Sequence, residues 1–287
     1  MSVDYFVELA NQAHPQDTAG FTTRYHRLIA DGKKEDADAL RAEWSKKAGK
    51  VVLSEPSNEL WEMIAKPSID LAPLPPGSWF LQFTFTLDKP YISKDDNPFY
   101  IIDNPIVRDK IFQLPMVRPT NWKGNLYSAL WQLGHDKDND EQMQRLFGEI
   151  RGEEDGQAGR LFFYPTFFTQ TGLEIINPHD RRRRVGKNPI LFECVPAGAS
   201  GTFTLIYIPF DLIGKDKAAA REQALADLQL VAKGLQAMFL TYGFSAKRTS
   251  GFGVARDEIS GLVKTKADEK KLTYFSQLAR EVKHVTF

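Results

Sequence analysis

Two short runs of this sequence concentrate positive charge. His179 to Lys187 (HDRRRRVGK) holds Arg181, Arg182, Arg183, Arg184 and Lys187 against one acid, and Ser245 to Arg256 (SAKRTSGFGVAR) holds Lys247, Arg248 and Arg256 against none. Both runs are rich in turn formers, so they read as loops that raise the local positive potential. Guanidinium groups in such loops suit phosphate, which they bind bidentately, and bases, on which they stack. A solvated surface loop is the competing use of the same charges. Acids collect elsewhere: Asp95, Asp96, Asp103 and Asp109 fall in one irregular stretch, where Asp103-Asn104-Pro105 also has the form of an ordinary turn initiator. The histidines His14, His26, His135, His179 and His284 are scattered with no metal-ligand spacing, and Cys194 is the only cysteine. A structural zinc site and an intrachain disulfide are therefore not expected, a reducing compartment is, and nothing pairs two histidines for acid–base cleavage.

The chain carries 37 basic and 37 acidic residues over 287 positions, a balance that argues against a nonspecific nucleic-acid coat and leaves the charge to local patches. Its length suffices for one large domain, or for an ordinary domain with an appendage. No apolar run reaches the roughly 18 to 20 residues of a membrane span, and the amino terminus lacks a signal peptide's basic and apolar blocks. A cytoplasmic protein with no membrane contact is the expectation.

The elements that must position these side chains follow from periodicity. Up to about Asp70 the pattern is helical, with Glu35 to Lys47 rich in helix formers and Asn58 to Ala65 opening on a cap. Pro73, Pro75, Pro76 and Gly77 then break the chain, which divides it into a helical extension, residues 1–75, and a domain, residues 76–287. Trp79 to Leu87 alternates as a strand with one buried side. After an irregular passage from Asp88 to Asn121 come a helix from Lys123 to Leu133 and strands at Gly159 to Phe168 and Gly201 to Phe210. The helix from Asp216 to Thr241 carries an apolar stripe of Leu225, Leu228, Ala232, Leu235 and Phe239. A glycine-rich turn, Gly243 to Gly253, leads to a last strand, Val254 to Val263. Strand, helix, strand, strand, helix, strand predicts an α+β fold, a ferredoxin-like or RRM-like antiparallel sheet with both helices on one face and long loop insertions.

Within the first insertion the chain reads DNPFYIIDNPIVRDKIFQLPMVRPTNWKGNLYSALW, from Asp96 to Trp131. Asp103, Pro105, Ile106, Val107, Arg108 and Asp109, then Pro115, Met116 and Val117, then Lys123 and Gly124, form an ordered pattern. Leu146-Phe147-Gly148 precedes Gly159-Arg160-Leu161, the Val195-Pro196-Ala197-Gly198 turn precedes Thr202-Phe203, and Lys247 to Gly253 supplies a glycine-rich loop before the last strand. In this order the motifs resemble those of the RAMP superfamily, and in particular the backbone subunits of type III CRISPR effector complexes. Two features depart from that pattern. Pro119 to Gly124 keeps only the lysine and the final glycine of the family's Gly-Ser-Ser-x-Lys-Gly turn, and the helical extension lies outside it.

The resemblance implies a subunit that binds the CRISPR guide RNA, meets the target RNA and contacts other effector subunits. It implies that Lys123, Arg108, Lys247, Arg248 and Arg256 hold the RNA backbone, with Lys123 at a helix start and Gly124, Gly251 and Gly253 permitting close approach. Arg181 to Arg184 would sit on a thumb lying across the strands, near the apolar wedge candidates Ile175, Ile176 and Val185. Asp103 matches the aspartate with which catalytic members cut target RNA in a metal-dependent reaction. Such a carboxylate would hold a divalent ion, Mg²⁺ by preference, or orient a 2′-hydroxyl, with Asp95, Asp96 or Asp109 able to substitute or assist. Three readings stay open: a cutting backbone subunit, a non-catalytic scaffold or capping subunit, and an unrelated RRM-like assembly protein.

Overall fold

The structure, a computed structural model, describes residues 15–53, 57–96, 99–136, 140–148, 156–177, 179–180, 185–186 and 189–287. Its helices are α1 (Thr18–Ala30), α2 (Lys34–Ala48), α3 (Asn58–Ala65), α4 (Pro119–Gln132), α5 (Glu141–Phe147), α6 (Lys217–Ala237) and α7 (Phe275–Glu281). The strands are β1 (Lys50–Val52), β2 (Trp79–Leu87), β3 (Tyr91–Ile92), β4 (Met116–Val117), β5 (Leu161–Phe163), β6 (Thr166–Phe167), β7 (Gln170–Ile176), β8 (His179–Asp180), β9 (Val185–Gly186), β10 (Ile190–Val195), β11 (Ser200–Tyr207), β12 (Ala255–Lys264) and β13 (Glu269–Tyr274). Among the described residues no helix is long and apolar enough to cross a membrane.

Alternation along β2 decides the core. Leu81, Phe83, Phe85 and Leu87 are buried on one face, where Trp122, Leu126 and Leu130 of α4 and Leu228, Val231 and Leu235 of α6 meet them in one cluster. Gly234 lets the two helices close up, since a Cβ there would come within 2.8 Å of Leu126 and Leu130. The main sheet is antiparallel in the order β13-β12-β2-β11-β5. Counting β2, β5, β11 and β12 as first to fourth, the order is 4-1-3-2, with β13 added at the edge. The result is a mixed α+β architecture built on antiparallel sheets.

Several elements differ from the expectations. Helix α4 begins at Pro119, because proline's fixed φ and missing N–H suit the first helical position; Lys123 therefore lies in the second turn and not at the helix start. The strand expected from Gly159 to Phe168 splits at Tyr164-Pro165, β5 joining the main sheet and β6 pairing with β4. The second face of β2 is partly covered as well. Phe80 packs with Leu71 and Ile206, because the segment after α3 folds back across it and is held by Gln82 Nε2 donating to Pro67 O (3.2 Å) and Lys266 Nζ to Ala72 O (2.9 Å). β13 and α7 follow the last expected strand, and α7 delivers Phe275 and Leu278 to the core.

A buried ionic network ties the helical layer to the sheet. Asp227 of α6 is fully buried; it accepts from Arg145 Nε and Nη2 (3.0 and 2.7 Å) and from the Tyr207 hydroxyl (2.8 Å). Arg160 bridges Asp227, Tyr207 and Asp211.

A second sheet, β1-β7-β10-β3, stands beside the first. Part of the helical segment before Pro76 belongs to it structurally. β1 pairs with β7, while Phe21, Leu40 and Trp44 of α1 and α2 bury against Ile101, Ile102, Leu173 and Leu191.

Candidate functional site

Asp103 is held out by the anchoring of its flanks. Ile101 and Ile102 on one side and Pro105, Ile106 and Val107 on the other are buried, whereas Asp103 is exposed and its carboxylate has no partner among the described residues. The polar anchor is Glu193 of β10, only 4% exposed. Its Oε1 accepts from the Tyr100 hydroxyl (2.9 Å) and from Arg108 Nη2 (2.5 Å), its Oε2 from the Ile106 amide (3.0 Å), and its own amide donates to Asn104 O (3.0 Å). Burial raises the Tyr100 hydroxyl's pKa and the adjacent Glu193 charge raises it further, so Tyr100 stays a donor. Burial works against the Arg108 charge, but Glu193 and Tyr100 together offset this and the arginine's pKa is raised.

The acids expected to assist, Asp95, Asp96 and Asp109, line one cleft of about 510 Å³ with Arg108, Lys110 and Arg118, and Asp103 is not among its lining residues. Arg118 Nη2 lies 3.8 Å from Asp95 Oδ1, and Asp109 Oδ1 caps the amides of Ile111 and Phe112. Among the described residues no group of three or more His, Cys, Asp or Glu side chains could hold a metal ion. Mg²⁺ typically takes one or two carboxylates and completes its shell with water and substrate phosphate. Asp103 fits that role as a single ligand, so the described residues offer a place for an ion carried with RNA and no complete cage.

The glycine-rich loop docks on the opposite side of β10. Ser245 Oγ accepts from the Ile92 amide (2.7 Å) and donates to Ile92 O (2.9 Å), and the Gly253 amide donates to Pro90 O (2.8 Å). This closeness needs glycine: a Cβ on Gly253, at φ +74°, would lie 2.4 Å from Ser245 Cβ. The close approach Gly253 permits is thus to Ser245, inside the protein. A Cβ at Gly251 or Gly124 would meet nothing within 4 Å, and both are exposed. Lys247 is exposed, with Nζ 5.9 Å from the Phe192 ring centroid, and Arg248 Nη1 donates to Ser128 Oγ (3.2 Å) on α4.

The remaining expected RNA-binding residues do not all converge. Asn125 Nδ2 donates to Phe244 O, so Asn121, Asn125 and Ser128 turn toward the glycine-rich loop; at about 100° per residue, half-buried Lys123 points roughly 140 to 160° away from them. Arg256 is exposed on β12. Arg181, Arg182, Arg183 and Arg184 lie outside the described residues, between β8 and β9, and Ile175 on the neighbouring β7 is 63% exposed. Cys194 is buried and burial pushes its thiol up to about 12, which leaves it unreactive. Sequence reasoning missed Glu193 and Tyr100. The available signal was one acid inside the apolar run Ile190-Leu191-Phe192-Glu193-Cys194-Val195, since a carboxylate in a buried strand must have partners.

Both the sequence and the fold are similar to those of known proteins. The family model described as "RAMP superfamily" matches residues 31–256, well over half the chain. A curated relative from Mycobacterium tuberculosis (strain ATCC 25618 / H37Rv), "CRISPR system Cms endoribonuclease Csm3", is 28% identical over 176 residues, covering 53% of this chain and 73% of the relative. A chain in the cryo-EM structure of the Type III-B Cmr-beta bound to cognate target RNA superposes with a TM-score of 0.52 at 13% identity, over 89% of this chain and 87% of that one, a likeness of fold. For a chain of the Csm3-Csm4 subcomplex of the type III-A CRISPR-Cas interference complex the TM-score is 0.45 at 14% identity, over 73% and 97%.

Proposed function

This chain belongs to the RAMP superfamily, and from that premise we propose that it is a guide-RNA-binding backbone subunit of a type III CRISPR effector complex that also cuts bound target RNA at Asp103. In this reading the main sheet is a ferredoxin-like core, the second sheet presents RNA-facing loops, and the protein acts in the cytoplasm with guide RNA, target RNA and neighbouring effector subunits.

One observation carries the proposal. Within Leu191 to Glu193, strand β10 holds the Asp103 loop at its edge, through Asn104, and Lys247 over Phe192. A carboxylate and a cation are thereby carried within three residues of one strand, on its two sides. Lys247, with Arg248 beside it, would neutralise the phosphate backbone. Asp103, unpartnered among the described residues, is free to orient the 2′-hydroxyl that attacks the adjacent phosphorus and displaces the 5′-oxygen of the next nucleotide; a 2′,3′-cyclic phosphate and a 5′-hydroxyl result, the 2′-hydroxyl giving up a proton and the leaving oxygen taking one up. A bound divalent ion would supply Lewis-acid stabilisation of the developing charge, with Asp103 as its protein ligand.

The test uses the assembled complex, a complementary target RNA and Mg²⁺. Short RNAs of uniform 5′ sequence are expected to copurify with it. Asp103→Asn preserves shape and removes charge, so it is expected to lower cleavage at this subunit's position by several orders of magnitude while guide and target affinity stay near wild type. Wild-type cutting by Asp103→Asn, or no cutting by the wild-type complex, leaves the second reading, a non-catalytic scaffold. That Asp103 is not among the residues lining the cleft of Asp95, Asp96 and Asp109 favours that second reading.

A further inference from the structure

We propose that Glu193 is the positioning residue for Asp103, setting the place of the loop that presents it; this deepens the reading of Asp103 as the cleaving carboxylate and rests on it. The Asp103 carboxylate makes no bond to the described residues by which it could be held, so its position is fixed by its neighbours. Glu193 receives donors from both sides of it: the Tyr100 hydroxyl three residues before, the Ile106 amide three residues after, and Arg108 beyond. The Glu193 amide adds a bond to Asn104 O, next to Asp103 itself.

A carboxylate in a buried strand is costly, and a well-packed apolar residue would often serve stability as well or better. All three donors to this carboxylate come from residues 100–108, so its removal would release that loop and little else. The pair with Arg108 balances the buried charge locally, which leaves Asp103 as the uncompensated anion of the loop.

The experiment compares single-turnover cleavage and target affinity in assembled complexes, with amide hydrogen exchange across residues 99–108. Glu193→Ala is expected to slow cleavage about 100-fold, the loss that a misplacement of about 1 Å can cause. Glu193→Gln keeps one acceptor and is expected to lose about tenfold, and Tyr100→Phe, which removes one donor without changing volume, about threefold. Target affinity should stay within about twofold while the Ile106 amide exchanges faster. Asp227→Asn serves as the structural control, lowering thermal stability without slowing cleavage per assembled complex. Glu193 variants that cut at the wild-type rate beside an inactive Asp103→Asn overturn this inference and leave the cleavage reading intact. A rate loss matched by weakened target affinity, or shared by Asp227→Asn, also overturns it in favour of a merely structural role. A wild-type complex that does not cut at this subunit removes both.

Discussion

Arg108 Nη2 donates to Glu193 Oε1 at 2.5 Å, and Nη1 of the same guanidinium donates to Gln113 O at 3.0 Å. Two of the arginine's nitrogens are therefore engaged inside the protein, on a side chain only 18% exposed. Removing it would strand the Glu193 carboxylate. Arg108→Ala is expected to cost about 3 kcal/mol, the lower end for breaking a buried pair because Tyr100 and Ile106 still donate to Glu193. Chemical denaturation measures this. The salt dependence of guide binding should not change; a slope reduced by about 0.7 to 0.9 would put Arg108 on a phosphate instead.

The Asp227 network makes a second, separable prediction. Asp227 takes both Arg145 and Arg160, and Tyr207 below them stacks on Trp79 at 5.1 Å. Asp227→Ala leaves two partly or wholly buried guanidinium groups short of an acceptor and should destabilise by about 3 to 5 kcal/mol, read from denaturant midpoints at unchanged slope. Asp227→Asn, which retains one acceptor, should cost less.

Acid pH should weaken the same region. Burial acts to raise the Asp211 carboxyl's pKa, but hydrogen bonds and charge from Arg160 prevail and hold it below the usual carboxylate range. Asp140, which caps α5, is likewise held low: burial opposes this, but hydrogen bonds from His135 and the amides of Gln142 and Met143 win. A depressed folded-state pKa contributes stability above the unfolded value, near 3.9, that is lost as pH falls through the folded value. Thermal unfolding from about pH 7 down to pH 2 should therefore show the loss concentrated below about pH 4. Asp211→Asn should be less stable at neutral pH and lose less on acidification. An acid limb unchanged in that variant would mean Asp211 is not a contributor.

Lys247 and Arg248 test whether the glycine-rich loop faces RNA. For each phosphate that a substitution leaves without its cation, the slope of log affinity against log salt should fall by about 0.7 to 0.9. Lys247→Ala is expected to show that change with little effect on stability, since Lys247 is exposed. Replacing Arg181 to Arg184 together should lower the slope further, and a slope indifferent to all of them would remove both loops from the interface.

How much of this was legible depended on the range over which the signal acts. β2, α3 and α6 could be read because nine, eight and twenty-one residues are enough for a period to show. The second sheet could not. β1 and β3 have three and two residues, too few for a period, and their partners lie about 100 residues away in β7 and β10. The Asp103 loop was visible through its motif, yet its anchor Glu193 showed only as an acid in an apolar run, with nothing local to say that a partner, the Ile106 amide, lies 87 residues away. Lys123 was misplaced for a local reason: Pro119 looks like a breaker but opens the helix.

The segment before Pro76 gives the last prediction, since it supports the candidate site directly. Trp44 is 2% exposed, its ring meets that of Tyr100 edge-on at 6.3 Å, and its Nε1 donates to Thr18 Oγ1. His26 Nε2 lies 3.1 Å from Tyr100 O, and its ring stacks on Phe99 at 4.6 Å. Tyr100 is the residue that bonds Glu193, so α1 and α2 press on the back of the loop that carries Asp103. Trp44→Ala should cost about 3 to 5 kcal/mol as a large buried aromatic, and should raise amide exchange at Ile101 and Ile102 before it affects the main sheet. Deleting residues 1–75 removes β1 from the edge of the second sheet and uncovers Ile101, Ile102 and Leu191. Aggregation of that variant, or a soluble form that no longer cuts but still binds guide, is the expected result. A truncated chain 76–287 that stays soluble, unfolds at the wild-type midpoint and cuts normally in the complex would show that the segment is a docked appendage with no part in holding Asp103.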